Sequence, residues 1–265
     1  MSWVTVRSTL GSLFMSGVLI AAAVTSTVRA ADSPAHGVHN VVLVHGAWAD
    51  GSSWSKIIPL LEAKGLHVIA VQNPLSSVPD DVAAATRAIA QMDGPVLLVG
   101  HSYGGAIISE AGNDPKVVGL VYVAAFAPSD GEAVGEMGKE FPAPAGGAEI
   151  RPDGSGYLWL TPKGVAEDFA QDLPAAEKKL LTATQSPTAA AAFEFKIQRV
   201  AWQSKPSWYI VSQNDRMIAP QFEQAMANKI HAKTIMLPSS HVAMLSHPAE
   251  VAAFIEQAAR DVPTQ

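Results

Sequence analysis

Short runs of apolar, β-branched residues alternate along this chain with stretches whose apolar positions recur every three or four residues. Asn40-Val41-Val42-Leu43-Val44, His67 to Val71, Val96 to Val99, Val117 to Ala125, Trp208 to Val211 and Thr234 to Leu237 read as strands. Several are continuously apolar, the pattern of a strand covered on both faces. Between them, helical spacing links Trp54, Ile57, Ile58 and Leu61, then Val82, Ala85, Ile89 and Met92, and later Val251, Phe254, Ile255 and Ala258. Ala106 to Ala111 and Phe222 to Ile230 also read as helix. Gly65 suits the end of the first helix and Pro248 the first turn of the last. Repeated alternation of strand and helix predicts an α/β fold, a mostly parallel sheet with helices on both faces.

Residues 126–200 interrupt the pattern. Pro128 to Gly156 is rich in Pro, Gly and Ala, and helix-like pieces follow around Val165 to Phe169, Ala175 to Thr182 and Thr188 to Ile197. An insertion between two core strands, after the one ending near Ala125, is expected to form a helical lid over one end of the sheet.

The N-terminus carries a separate signal. Met1 to Arg7 holds one positive charge and no acid, Leu10 to Val24 is uncharged and largely apolar, and Val28-Arg29-Ala30 places small residues around a cut after Ala30. This is the pattern of a secretory signal peptide over residues 1–30, leaving one domain over 31–265, exported to the periplasm or secreted, with no stable membrane insertion after cleavage. The apolar run is short for a membrane span of roughly 20 residues. Cleavage removes Arg7 and Arg29 and no acid: 16 basic residues remain against 24 acidic, a net charge of −8.

Composition narrows the chemistry. The chain has 265 residues, 48% of them hydrophobic and none of them Cys, so disulfides, thiolate metal sites and a Cys nucleophile are excluded. The acidic balance offers no basic stripe for nucleic acid. The eight His show no close pair at metal-ligand spacing. No metal, no cofactor and no nucleic-acid partner is expected; nothing in the sequence speaks to oligomeric state.

One motif stands out. Gly100-His101-Ser102-Tyr103-Gly104 follows a predicted buried strand and precedes a predicted helix, the context of a G-x-S-x-G nucleophile elbow. A serine hydroxyl needs a positioned base. His241 lies just beyond the last predicted strand, where an α/β sheet presents its site; His247, beside Pro248, is the second candidate. The base needs an orienting acid. Asp215 follows the strand ending at Ser212 and Asp130 follows the one ending near Ala125; both are loop candidates, and Asp215 is preferred. The loop His45-Gly46-Ala47-Trp48 follows the first strand, so the N–H groups of Ala47 and Tyr103 are the candidate oxyanion donors. His45 reads as structural. Trp48, Trp202 and Val242 are candidate substrate-binding side chains. Phe169, Phe193, Phe195 and Trp202 suit an apolar pocket, and lid packing accounts for them equally well.

With these residues in place the sequence resembles the α/β-hydrolases, and more closely the compact branch of plant methylesterases, hydroxynitrile lyases and small bacterial esterases. The resemblance covers Val38 to about Arg260. It is carried by Val44 to Trp48, Gly51-Ser52-Ser53-Trp54, Gly100 to Gly105, Asn214-Asp215 and Ser240-His241-Val242-Ala243-Met244. It implies an α/β-hydrolase fold, with Ser102 as nucleophile, Asp215 as orienting acid, His241 as base and Ala47 and Tyr103 in the oxyanion hole. Hydroxynitrile lyases of this branch have a Thr where Gly46 stands and a Lys after the catalytic His, where this chain has Val242. The expectation is a serine hydrolase acting on a small to medium carboxylic ester. The alternatives are a lyase or cofactor-free perhydrolase on the same triad, or a ligand-binding protein with negligible turnover.

Overall fold

The computed structural model describes residues 37–263. The expected export segment, residues 1–30, lies outside the described residues.

The chain opens with β1 (Asn40–Val44), passes through a 3-10 turn at Gly51–Trp54 and enters α1 (Ile58–Glu62). Then come β2 (His67–Ala70), α2 (Val78–Gln91), β3 (Val96–His101), α3 (Gly104–Ala111) and β4 (Val117–Val123). The insertion holds β5 (Ile150–Pro152), β6 (Tyr157–Leu160), α4 (Pro162–Gly164), a π-helical segment at Val165–Phe169, α5 (Ala175–Thr184), β7 (Thr188–Ala189) and α6 (Ala190–Glu194). The core resumes with β8 (Ser207–Ser212), α7 (Pro220–Lys229), β9 (Lys233–Leu237), α8 (Ala243–Ser246) and α9 (Pro248–Asp261).

Six strands form one sheet in the order β2-β1-β3-β4-β8-β9. Every pairing in it is parallel. The inner strands β1, β3 and β8 are buried at every position, which is why they read as unbroken apolar runs. The outer strands β2 and β9 are more exposed, and His67 and Lys233 put polar groups on those edges. Local signals agree with the helices. The Ser77 hydroxyl accepts the Asp80 N–H at the head of α2, a cap contributing about 1 kcal/mol. Gly65, after α1, takes φ +79°.

The chain leaves β1 in one direction to reach β2, then crosses back to place β3 on the other side of β1. Strand order therefore reverses between β1 and β3. The loops after these two strands diverge there, and such a point is where open α/β sheets bind ligands.

Two expectations need correction. The strand from Val117 stops at Val123 rather than Ala125, because Ala124 turns to φ +44°. The insertion is not purely helical: β5, β6 and β7 form a three-stranded antiparallel sheet. Its hairpin is made by the Gly-rich stretch itself. Gly154 and Gly156 adopt positive φ, and the Asp153 carboxylate accepts the N–H groups of Ser155 and Tyr157, an Asx-turn that the polar spacing conceals.

Candidate active site

Ser102 follows β3 directly and takes φ +53°, a left-handed conformation unfavourable for a residue with a side chain. Its surroundings hold it there. The Ser102 N–H donates to Val123 O at 3.2 Å, and the Ser102 carbonyl accepts from Gly105 N at 2.9 Å and Phe126 N at 3.1 Å. Helix α3 starts two residues later and presses against the end of β1; a Cβ on Gly104 would stand 2.7 Å from the carbonyl oxygens of Val44 and His45. Ser102 is 6% exposed, and its hydroxyl makes no hydrogen bond among the described residues.

The loop after β1 lies over this elbow. A Cβ on Gly46 would meet the Ser102 Cβ at 2.7 Å, so only glycine permits the approach. His45 shapes the loop: its Nε2 accepts Asn73 N–H at 2.9 Å and its Nδ1–H donates to Gly46 O at 2.9 Å. Burial lowers its pKa, which suits a neutral ring with one donor and one acceptor nitrogen. Trp48, at φ +57°, donates its backbone N–H to Thr188 Oγ1 and its indole N–H to Leu158 O. Its ring stacks on Phe193 at 6.0 Å, and Phe193 lies 5.6 Å from the ring of Tyr103. The N–H groups of Ala47 and Tyr103 donate to no acceptor among the described residues. The Tyr103 hydroxyl donates to Asp81 Oδ2 at 2.9 Å, while Asp81 Oδ1 accepts Leu75 N–H at 2.8 Å. Burial pushes the Asp81 carboxyl up to about 6, against the pull of those two donors.

His241 and Asp215 come from the loops after β9 and β8. Asp215 Oδ2 receives His241 Nδ1–H at 2.5 Å, and Asp215 Oδ1 accepts the N–H groups of Met217 at 2.6 Å and Ile218 at 3.0 Å. Both side chains are almost fully buried. With Nδ1 engaged, Nε2 is the free nitrogen of the His241 ring. His101, the neighbour of Ser102, ties the two halves together. Its Nε2–H donates to His241 O at 2.9 Å, and the two rings lie 4.7 Å apart. Burial first, and the nearby His241 second, hold the His101 pKa well below the usual histidine value. Its Nδ1 has no partner among the described residues. From the insertion, Phe169 packs 5.2 Å from the His241 ring and Asp172 Oδ2 accepts Ser240 N–H at 2.7 Å.

A strained serine at a strand-to-helix elbow, with a His–Asp pair on the strands beyond it, sits within a stretch that matches the family model described as the alpha/beta hydrolase family, over residues 41–254. The chain belongs to the alpha/beta hydrolase family. It is 37% identical over 109 residues to a pyrethroid hydrolase of Sphingobium wenxiniae, a match covering 36% of this chain and only 38% of that protein. It is 24% identical over 239 residues to an alpha-hydroxynitrile lyase of Arabidopsis thaliana, covering 79% of this chain and 93% of that protein. Among solved structures, an extracellular alpha/beta-hydrolase from a Paenibacillus species superimposes with a TM-score of 0.72 at 21% identity, covering 84% of this chain and 99% of that one.

Within this alpha/beta hydrolase the other candidates fall elsewhere. Asp130 is bound to Val200 N at 2.7 Å and faces Gln203, closing the two ends of the insertion rather than meeting a histidine. His247 heads α9, with its Nδ1 against the Ser246 hydroxyl at 3.0 Å. Trp202 is anchored at the root of the insertion. Its indole N–H, needing an acceptor, donates to Pro128 O at 2.7 Å, and Lys229 lies over the ring. Neither contact involves Ser102, Asp215 or His241. Val242 is buried beside His241, with its N–H on Ser240 Oγ. Among the described residues no three His, Asp or Glu side chains converge as a metal cage. Sequence reasoning passed over His101, Asp81 and Asp172. His101 was in view inside the G-x-S-x-G motif; the two aspartates carry no local signal.

Proposed function

We propose that this alpha/beta hydrolase is a serine-dependent carboxylic ester hydrolase acting through a Ser102–His241–Asp215 triad. The observation that carries the reading is the buried His241–Asp215 pair at 2.5 Å, bonded through the His241 carbonyl to His101, the residue next to a serine at φ +53°. His241 Nε2 takes the Ser102 proton as Oγ attacks the ester carbonyl. The resulting oxyanion rests on the N–H groups of Ala47 and Tyr103, each worth roughly 10²–10³ in turnover. His241 then protonates the departing alkoxide, and a water activated by the same ring hydrolyses the acyl-enzyme. Asp215 holds Nδ1–H and balances the imidazolium.

Two features favour hydrolysis over cyanohydrin cleavage. A side chain on Gly46 has no room beside Ser102, and Val242, buried after His241, supplies no cation to stabilise departing cyanide. The relative named as a pyrethroid hydrolase points the same way. The long match to an alpha-hydroxynitrile lyase keeps lyase chemistry as the second reading. The rings of Trp48, Phe193 and Phe169 suit an uncharged, apolar ester.

Export belongs to the same reading: the segment before Ala31 has signal-peptide composition, and no helix among the described residues is long and apolar enough to cross a membrane. A mature chain starting at Ala31, measured by intact mass after expression with secretion, tests it.

The triad is tested with a p-nitrophenyl ester panel on the wild type and Ser102→Ala. Turnover should fall by about 10⁴-fold or more, and a fluorophosphonate probe should label Ser102 of the wild type. Wild-type rates in the mutant overturn the nucleophile assignment. Release of cyanide from a cyanohydrin, with no ester cleavage, moves the protein to the lyase reading.

A further inference from the structure

Four acids are buried among the described residues: Asp81, Asp168, Asp215 and Glu223. Three have evident partners. Asp81 serves Tyr103 and Leu75, Asp168 lies 3.9 Å from Arg216, and Asp215 holds His241. Glu223, in the first turn of α7, is fully buried and forms no ion pair among the described residues. Its Oε2 accepts Ser212 N–H at 2.9 Å, at the end of the strand that delivers Asp215. Its Oε1 has no donor among the described residues. Ser212 also accepts the Asp215 N–H on its carbonyl at 3.2 Å, so the turn that Glu223 caps is the one that carries Asp215, and the two buried carboxyl groups are neighbours.

Two carboxyl groups in contact in a dry site do not both ionise, so one proton lies between them. The donors decide where. Asp215 receives three hydrogen bonds, from Met217 N, Ile218 N and His241 Nδ1, whereas Glu223 receives one. Donors favour the charged form, so the charge belongs on Asp215 and the proton on Glu223 Oε1.

We propose that Glu223 is a positioning residue of the triad, a neutral acid that donates its proton to the Asp215 carboxylate and holds it in line with His241. The assignment rests on the triad reading above. Burial and the adjacent Asp215 charge hold the Glu223 carboxyl well above the usual carboxylate range. The titratable groups facing it are Asp215 and, from β8, Tyr209, with His241 beyond Asp215. The Tyr209 hydroxyl is already committed to Ala125, donating to its carbonyl at 2.5 Å and accepting its N–H at 3.1 Å.

The test compares Glu223→Leu and Glu223→Gln by kcat, KM and the acid limb of kcat/KM on a p-nitrophenyl ester, with Asp215→Asn as reference. Losing the donor should lower kcat in Glu223→Leu about 10- to 100-fold with KM little changed. Without that donor the acid limb of kcat/KM should move to higher pH. Glu223→Gln, whose amide N–H₂ donates in the same direction, should recover most of the loss and keep the wild-type acid limb. Three results overturn the proposal. The acid limb of Glu223→Gln moves down by about a unit, which marks an ionised Glu223 in the wild type; Glu223→Gln is as impaired as Glu223→Leu; or a folded Glu223→Leu has wild-type kcat. If Glu223→Leu does not fold, the acid limb and kcat of Glu223→Gln decide alone. Wild-type activity in Asp215→Asn would instead remove the triad reading itself.

Discussion

Strands β1, β3 and β8 bury every residue, whereas α5, in the insertion, buries none. Both regions reach the same site, but by different means. The sheet supplies Ser102, Asp215 and His241 from strand ends, where packing forces a serine into φ +53° and keeps a histidine and an aspartate dry. The insertion arrives through single side chains: Phe169 on the His241 ring, Asp172 on Ser240 N–H, Thr188 on Trp48 N–H and Phe193 on the Trp48 ring. Strain and buried charge persist only where surrounding structure over-determines them, so the strained serine and the buried His–Asp pair belong on the sheet. The insertion borders them with a few side chains only.

The largest expected contrast is between two aspartates, one on each side of this division. Asp215→Asn leaves the shape intact but disturbs the His241 tautomer, and should lower kcat by roughly 10⁴-fold. Asp130→Asn, at the root of the insertion, should leave kcat within a few-fold and cost about 1 kcal/mol of stability, the worth of its bond to Val200 N. Steady-state kinetics of both variants, with urea unfolding, decide it. The reverse pattern would transfer the orienting acid to the loop after β4 and break the comparison.

What was legible in the sequence follows the same division. Continuous apolar runs reveal strands buried on both faces, because burial on two sides leaves no polar alternation. The elbow around Ser102 is legible for a related reason: its glycines stand where a Cβ would strike backbone, as Gly104 does against Val44 and His45. The meeting of His241 with Asp215 is legible from their places after successive strands. The insertion is less so. Its hairpin rests on one carboxylate and two positive-φ glycines, and reads in sequence as a loop. The bond from the Trp202 indole N–H to Pro128 O, which ties down the root of the insertion, has no local signal either. Glu223 is the hardest case, because helical spacing shows which face is apolar and not which single acid on that helix is sealed from water.

A smaller effect should appear where the regions are joined. Asp81, on α2, binds both the Tyr103 hydroxyl and Leu75 N–H, and the Leu75 carbonyl accepts Ala189 N–H from the insertion. Its carboxyl is raised from 3.8 to about 6 on folding. The folded chain therefore binds this proton more tightly than the unfolded one. The contribution is intact below about pH 4 and declines as pH rises towards 6, by up to about 3 kcal/mol. Asp81→Asn should remove that decline, so that urea midpoints at pH 4.5 and pH 7 differ less than in the wild type. An unchanged difference would show that Asp81 is ionised throughout and that the junction is not held by a neutral acid.

The smallest effect concerns the link from α5 to the core. Lys56 Nζ lies 2.7 Å from Glu177 Oε2 and also donates to Leu245 O at 2.9 Å. The paired side chains remain 38% and 34% exposed, so water and salt screen them, and such pairs contribute about 0.2–1 kcal/mol. Glu177→Gln should therefore destabilise by no more than about 1 kcal/mol at low ionic strength and by less at high salt, where screening has already removed most of the attraction. Lys56 keeps its bond to the Leu245 carbonyl in either case, which limits the loss further. Denaturation at two salt concentrations measures this directly. A salt-independent loss of several kcal/mol would mean that α5 unfolds with the sheet as one cooperative unit, and the insertion would then be part of the scaffold rather than a surface laid over it.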